Sequence, residues 1–248
     1  MSFPATIGVV IPTRNRVDTL PRALDSVLQQ SHPVEKVVVV DDGSDDDTAG
    51  VLADLAGADQ RVTVLRTKGV GASAARNLGI AHCDTDFIAF QDSDDRWRKD
   101  FVSSLLPHVG SNVVAFGSHI LTRLDGSTSY IPSAPVVNPA RQLLRTNPIS
   151  TQTILADRQL FDLCRFDEHL RRFQDWDLWL SMLTTCEVSF IHVDQPVVEV
   201  YRQTDSISES DRVIRKAALK RIFRKHRSLF MTDPVALSRI VARAYVRP

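Results

Sequence analysis

Three carboxylates within four residues, in Gln91-Asp92-Ser93-Asp94-Asp95, close the apolar run Phe87-Ile88-Ala89-Phe90. Such a run reads as a buried strand, so the acids are delivered to one point at a sheet edge, where the accumulated negative charge needs a cation. Oxygen ligands at this density suit a hard divalent ion, Mg²⁺ or Mn²⁺, which keeps several waters and bridges protein carboxylates to phosphate oxygens. The expected substrate therefore carries phosphate. An isolated Asp-x-Asp-Asp also suits a solvated turn with helix-capping roles, and only its context separates the two readings.

The elements that must position this loop begin at the N-terminus. Ile7-Gly8-Val9-Val10-Ile11, ended by Pro12, reads as a central parallel strand with Thr13-Arg14-Asn15-Arg16 as the loop at its carboxyl end. A helix follows, capped by Asp18 or Thr19, with Pro21 in its first turn and Leu20, Leu24, Val27 and Leu28 at helical spacing. The pattern repeats. Val37-Val38-Val39-Val40 is a second strand and Asp41-Asp42-Gly43-Ser44 opens its terminal loop; Val51, Leu52 and Leu55 mark a helix, Val62 to Leu65 a third strand, and Ser73 to Ala81 a third helix. Alternation of this kind predicts a parallel sheet with right-handed crossovers and ligands outside the carboxyl ends of the strands. Both acidic loops then face one crevice.

Composition agrees with a soluble enzyme of modest size: 248 residues, 43% hydrophobic, with 30 Lys and Arg against 30 Asp and Glu. No apolar run approaches membrane-spanning length and the N-terminus lacks a signal-peptide pattern, which makes a cytoplasmic location the expectation. Cys83, Cys164 and Cys186 lack metal-ligand spacing and are expected as reduced thiols. Val113 to Gly117 and His119 to Thr122 read as strands, Asp125-Gly126 as a hairpin turn, and Ile131 to Arg141 as a surface loop. From Arg212 the chain turns basic and helical. Residues 212–230 could lie on the anionic inner face of a membrane, cover the rest of the domain, or form a homodimer contact. Nucleic acid is not expected as a partner, because no aromatic stacking platform accompanies the charge.

Val9-Val10-Ile11-Pro12-Thr13-Arg14-Asn15-Arg16, Val39-Val40-Asp41-Asp42-Gly43-Ser44, Gly71-Ala72-Ser73-Ala74-Ala75-Arg76-Asn77, Gln91-Asp92-Ser93-Asp94-Asp95 and Gln174-Asp175-Trp176-Asp177-Leu178-Trp179 resemble, in order and spacing, the successive motifs of family 2 glycosyltransferases. The resemblance implies an α/β GT-A fold: a single Rossmann-like, mostly parallel sheet flanked by helices, with a C-terminal helical tail. It also implies a nucleotide-diphosphate sugar donor, a divalent metal (Mn²⁺ or Mg²⁺) and inversion at the anomeric carbon. Residues 1–100 would form the nucleotide-sugar-binding half, 101–210 the acceptor-binding half of the same domain, and 211–248 the basic tail.

On this resemblance Pro12, Thr13, Asn15 and the Asp41-Asp42 pair would read the base of the donor, a UDP-sugar being favoured, with Asp42 preferred and Asp41 left open. Arg14 stands where the family often has an aromatic residue. Arg76, entering a helix behind Lys68-Gly69-Val70-Gly71, would meet the diphosphate. Asp94 would coordinate the metal, Asp92 would share it or contact the ribose, and Ser93 would join them at the donor. Asp175 would be the general base for a hydroxyl acceptor, sugar or lipid-linked, kept ionised by the helix dipole and partly dry by its aromatic neighbours. Thr151, Gln152 and Trp176 would touch the acceptor, and Asp177 would be structural. Departures are Gln174 for a common Glu and Thr204 for a histidine that helps hold metal or diphosphate; Ser206 and Ser208 could instead reach the diphosphate. His192 is expected as a satisfied structural histidine. Two rivals stay open: a non-catalytic sugar-nucleotide-binding protein, and a nucleotidyltransferase, for which the first strand lacks the glycine-rich basic loop.

Overall fold

Successive side chains of a strand point to opposite faces, so a strand covered on both sides must be apolar at every position. Strand β1 (Ile7–Thr13) is buried along its whole length and meets that condition up to Thr13 at its carboxyl end. In the computed structural model, which describes residues 5–202 and 212–246, Val9 and Ile11 face one core and Val10 the other. The same division holds in β2 (Lys36–Asp41), with Val37 and Val39 on one face and Val38 and Val40 on the other. Helices α1 (Leu20–Leu28) and α2 (Thr48–Ala58) cover the first face, and α3 (Ala72–Ala81) the second. Neither Asp18 nor Thr19 caps α1 through its side chain: Thr19 occupies the cap position without such a bond, and Pro21 begins the helix as expected.

The sheet runs β3-β2-β1-β4-β8-β6-β9-β5, with β7 beside β6. Here β3 is Val62–Arg66, β4 Phe87–Phe90, β5 Arg96–Trp97, β6 Val113–Thr122, β7 Thr128–Ile131, β8 Ile154–Asp157 and β9 Ser189–Tyr201. The first four strands are parallel, joined by crossover helices. Beyond β4 the sheet is mixed: β8 is antiparallel to β4 and to β6, while β9 is parallel to β6 and antiparallel to β5. The expectation of a mostly parallel sheet thus describes the first half. In the second half a tight turn replaces a crossover, with Gly126 at φ 80° between β6 and β7.

Short helices α4 (Phe101–Leu105), α5 (Pro139–Leu143) and α6 (Leu160–Leu163) fill the edges, and α7 (Gln174–Thr185) packs on the second face. The expected tail is α8 (Arg212–Lys225), α9 (Arg227–Phe230) and α10 (Pro234–Val241), followed by a last helical turn over Ala242–Val246. Ala218, Leu219, Ile222, Phe230, Ala236 and Ile240 are buried in the same core as Trp176 and Trp179 of α7. Of the roles open to this segment, covering the domain is therefore one that it performs. Its apolar stripe is occupied, and Arg212, Arg215, Arg224 and Arg227 remain exposed. Among the described residues no helix is long and apolar enough to cross a membrane.

Candidate active site

The carboxyl ends of β1, β2 and β4 open into a cavity of about 740 Å³ lined by Pro12, Thr13, Asp42, Arg76 and the loop Asp92 to Asp95. Both acidic loops do meet there. Asp42 Oδ1 accepts hydrogen bonds from the Thr67 hydroxyl and from Val70 N at 2.6 Å, and Oδ2 accepts from Gly71 N at 2.8 Å. The carboxylate thereby ties the glycine loop across the end of β2, and Oδ2 keeps acceptor capacity for a ligand N–H. The approach is close enough to require glycine: Gly43 has φ 74°, and a Cβ there would lie 2.9 Å from Gly69 N. Asp41 is turned elsewhere, bonded to Ser44 N at 2.9 Å and 3.4 Å from Arg66. Asn15, at φ 51°, spends its side chain on Asp45 N, 3.0 Å away, and shapes the β1 loop.

Cations already face the acids of the second loop. Arg76 Nη2 lies 2.7 Å from Asp92 Oδ1, and Arg16 Nη2 lies 3.7 Å from Asp94 Oδ2. Arg22 donates to the Asp94 carbonyl at 2.7 Å and stacks over the Tyr201 ring. Asp95 is buried, accepting from Tyr201 N at 3.1 Å and from Gln152 Nε2 at 3.3 Å. Burial first, then the charges of Asp92 and Asp94, push its carboxyl well above the usual range. Among the described residues no cluster of three or more His, Cys, Asp or Glu side chains forms a metal-ligand set. The hard oxygens of Asp92 and Asp94 facing the cavity still suit a divalent ion that takes its other ligands from phosphate and water. Ser93 lines the same wall, while Thr204, Ser206 and Ser208 lie outside the described residues.

Asp175 sits in the first turn of α7, whose N-terminal boundary, Phe173, is left-handed at φ 60° and supplies no side-chain cap. Its Oδ2 accepts from Asn147 Nδ2 at 2.8 Å and Oδ1 from Trp176 N at 2.7 Å. The expectation that the helix dipole holds it readily ionised needs correction: burial dominates and raises its pKa, with Arg76 lowering it and Asp92 raising it. Both of those charges belong to the donor cavity. Asp175 is thus a desolvated carboxylate within electrostatic reach of the Asp92 loop.

The proposed acceptor contacts divide. Gln152 lines the cavity, while Thr151 is nearly buried in a 3₁₀ turn over Thr151–Thr153. Trp176 is turned inward: it is 2% exposed, its indole N–H donates to the Leu143 carbonyl at 2.7 Å, and its ring meets Phe230 edge-on. Packing in the core takes the ring that an acceptor would have used. His192 is satisfied by Ser118 and Val136 N. Sequence reasoning assigned no role to Arg16 or Arg22 and did not pair Asn147 with Asp175, because each contact joins segments distant in the chain. The nearest local signal was Asn147's place a few residues before Thr151 and Gln152, the expected acceptor contacts.

The sequence profile of Glycosyl transferase family 2 matches residues 8–165. The putative teichuronic acid biosynthesis glycosyltransferase TuaG of Bacillus subtilis is 30% identical over 181 residues, covering 71% of each chain. An uncharacterized glycosyltransferase of Rickettsia felis is 30% identical over 210 residues, 83% of this chain and 35% of its own length. The chain thus spans about a third of that relative. The UDP-Glc:alpha-D-GlcNAc-diphosphoundecaprenol beta-1,3-glucosyltransferase WfgD of Escherichia coli is 27% identical over 189 residues, 75% of this chain and 73% of WfgD. The crystal structure of S. aureus TarS 1-349 in complex with UDP-GlcNAc superposes with a TM-score of 0.67 at 18% identity, covering 96% of this chain and 73% of that one. That likeness is one of fold, and the fold is GT-A.

Proposed function

The chain belongs to glycosyl transferase family 2, and from that premise we propose that it is an inverting glycosyltransferase, moving a sugar from a nucleoside-diphosphate donor to an acceptor hydroxyl. Asp42 and the end of β1 receive the base, Arg76 the diphosphate, and Asp92 and Asp94 hold Mn²⁺ or Mg²⁺. When bound, the ion supplies Lewis-acid stabilisation of the departing diphosphate. Asp175 accepts the proton of the acceptor hydroxyl as its oxygen bonds to the anomeric carbon from the face opposite the diphosphate. The observation that carries this reading is the convergence of Asp42, Arg76, Asp92 and Asp94 on one cavity at the carboxyl ends of β1, β2 and β4, with Asp175 held by Asn147 in the first turn of α7, where burial raises its pKa. A carboxylate with a raised pKa is the stronger base.

The names of WfgD and of the TarS complex support a UDP-sugar as donor, and WfgD supports a lipid-linked acceptor. Lipid-linked acceptors would place the enzyme at an anionic membrane face, met by the exposed arginines of α8 and α9 through charge rather than insertion, since their apolar stripe is buried. Thermal shift with UDP, GDP and CDP, each with and without Mn²⁺ or Mg²⁺, tests the reading. A ligand that binds only the folded state raises the melting temperature. UDP with metal is expected to give the largest shift, and indifference to all three nucleotides would refute the proposal.

A further inference from the structure

Among the described residues, ionic contacts join residues 212–246 to the rest of the domain at three acidic side chains, Asp177, Asp233 and Asp167, and each can be traced to a residue of the candidate active site. The most buried of them is Asp177, which has no exposed surface and lies 2.6 Å from Lys225 Nζ and 2.8 Å from His226 Nε2. Asp177 shares the first turn of α7 with Asp175. Side chains two apart on a helix of 3.6 residues per turn point to nearly opposite sides, so one turn is gripped on one side by the C-terminal segment and offers Asp175 on the other. The second tie is Arg145, whose guanidinium makes two hydrogen bonds to Asp233, at 2.7 and 3.0 Å. Two residues on is Asn147, the side chain that holds Asp175. In the third, Arg221 grips Asp167 at 2.7 and 3.0 Å. Next to Asp167 is Glu168, which accepts from Asn77 at 2.9 Å, and Asn77 follows Arg76 on α3.

Within α7 one oxygen is fixed locally, Asp175 Oδ1 accepting from Trp176 N at 2.7 Å, but the helix has no side-chain cap at its boundary residue and the other oxygen is held from outside the helix, by Asn147 at 2.8 Å. We propose that residues 212–246 form a positioning element of the active site, with Lys225 and His226 acting through Asp177, and Asp233 acting through Arg145 and Asn147, to fix the Asp175 carboxylate toward the donor. The proposal rests on Asp175 as the base. The family profile ends at residue 165, so Asp175, Asp177 and residues 212–246 lie beyond the matched span, while Arg145 and Asn147 lie within it.

The test uses the full chain and Lys225→Met, with Lys225→Arg as the conservative variant. UDP release from UDP-glucose and UDP-N-acetylglucosamine is followed with water as acceptor, since water needs the same base, alongside calorimetry of UDP binding. Misplacement of a catalytic group lowers turnover without removing donor contacts, so kcat should fall about tenfold in Lys225→Met with KM and UDP affinity kept, and Lys225→Arg should restore it. If Lys225→Met does not fold, the pair Asp177→Asn with Lys225→Met, which leaves neither of those two charges buried alone, should show the same loss. Unchanged kcat in a folded variant would overturn the proposal, as would a parallel loss of kcat and UDP affinity, which marks general damage. Asp175→Asn measured beside them separates the two readings. An inactive Asp175→Asn with a fully active Lys225→Met sinks the clamp alone, whereas an active Asp175→Asn sinks the base assignment and the clamp with it.

Discussion

Replacing Asp175 with Asn keeps the size of the side chain and an oxygen able to accept from Asn147 or from Trp176 N, the two bonds the carboxylate now makes at 2.8 and 2.7 Å. What disappears is the proton acceptor. A positioned general base contributes on the order of 10² to 10⁴ in rate, so turnover should drop about a hundredfold or more, equivalent to about 2.7 kcal/mol of transition-state stabilisation. Stability should move the other way. Burial raises the pKa of Asp175 above the ordinary 3.8, so the folded chain holds this proton more tightly than the unfolded one. Ionisation therefore costs stability that is absent below the unfolded value and fully felt above the folded one. At neutral pH the Asn variant should melt at the same temperature as the parent or higher, and the difference should shrink as pH falls toward the unfolded value. The acid limb of kcat in the parent should lie above 3.8 and be missing from the variant. The assays are UDP release across pH, calorimetry of UDP, and thermal melts. Near-parental turnover at neutral pH would refute the assignment; loss of UDP affinity together with a lower melting temperature would make Asp175 a structural residue.

Asp94→Ala should fold normally yet lose the strengthening of UDP binding by Mn²⁺ or Mg²⁺, and calorimetry that finds the metal effect intact would remove Asp94 from the metal site. Trp176→Phe keeps an aromatic ring but strands the Leu143 carbonyl, so stability should fall by about 1 to 3 kcal/mol in denaturant unfolding with UDP affinity unchanged; a stable variant impaired only in acceptor KM would restore the acceptor role that the structure denies the ring. Vesicles rich in anionic lipid should pellet the protein at low salt and release it as salt rises, and a variant with Arg212, Arg215, Arg224 and Arg227 all changed to Gln should stay in solution; equal pelleting of that variant would place the membrane contact elsewhere.

The donor half was legible because its signals are local. Strands β1 and β2 are covered on both faces and therefore read as unbroken apolar runs, and Pro21 marks the start of α1 within one turn. The order of the second half was not legible, since β8 enters antiparallel between β4 and β6 through pairings that no single segment encodes. The same physics left Asp41 and Asp42 unresolved in the sequence. Adjacent residues at a strand end point to opposite sides, and what distinguishes these two is the loop at Val70 and Gly71, 28 and 29 residues away. For the C-terminal segment, the sequence left a membrane face, the domain itself and a second copy open, and only the fold shows that Leu219 and Ile222 share the core of α7. Asp175 was found as a residue from the helix start, and its aromatic neighbours pointed to partial drying, but the sequence does not show that burial is the largest influence on its pKa.

The most direct test of inverting transfer is the anomeric configuration of the first product, read by proton NMR during turnover of an α-linked UDP-sugar with Mn²⁺ and before mutarotation. Attack assisted by Asp175 from the face opposite the diphosphate predicts a β-configured product, formed by the parent and not by Asp175→Asn. An α-configured product, or equal β-product from Asp175→Asn, would contradict the account.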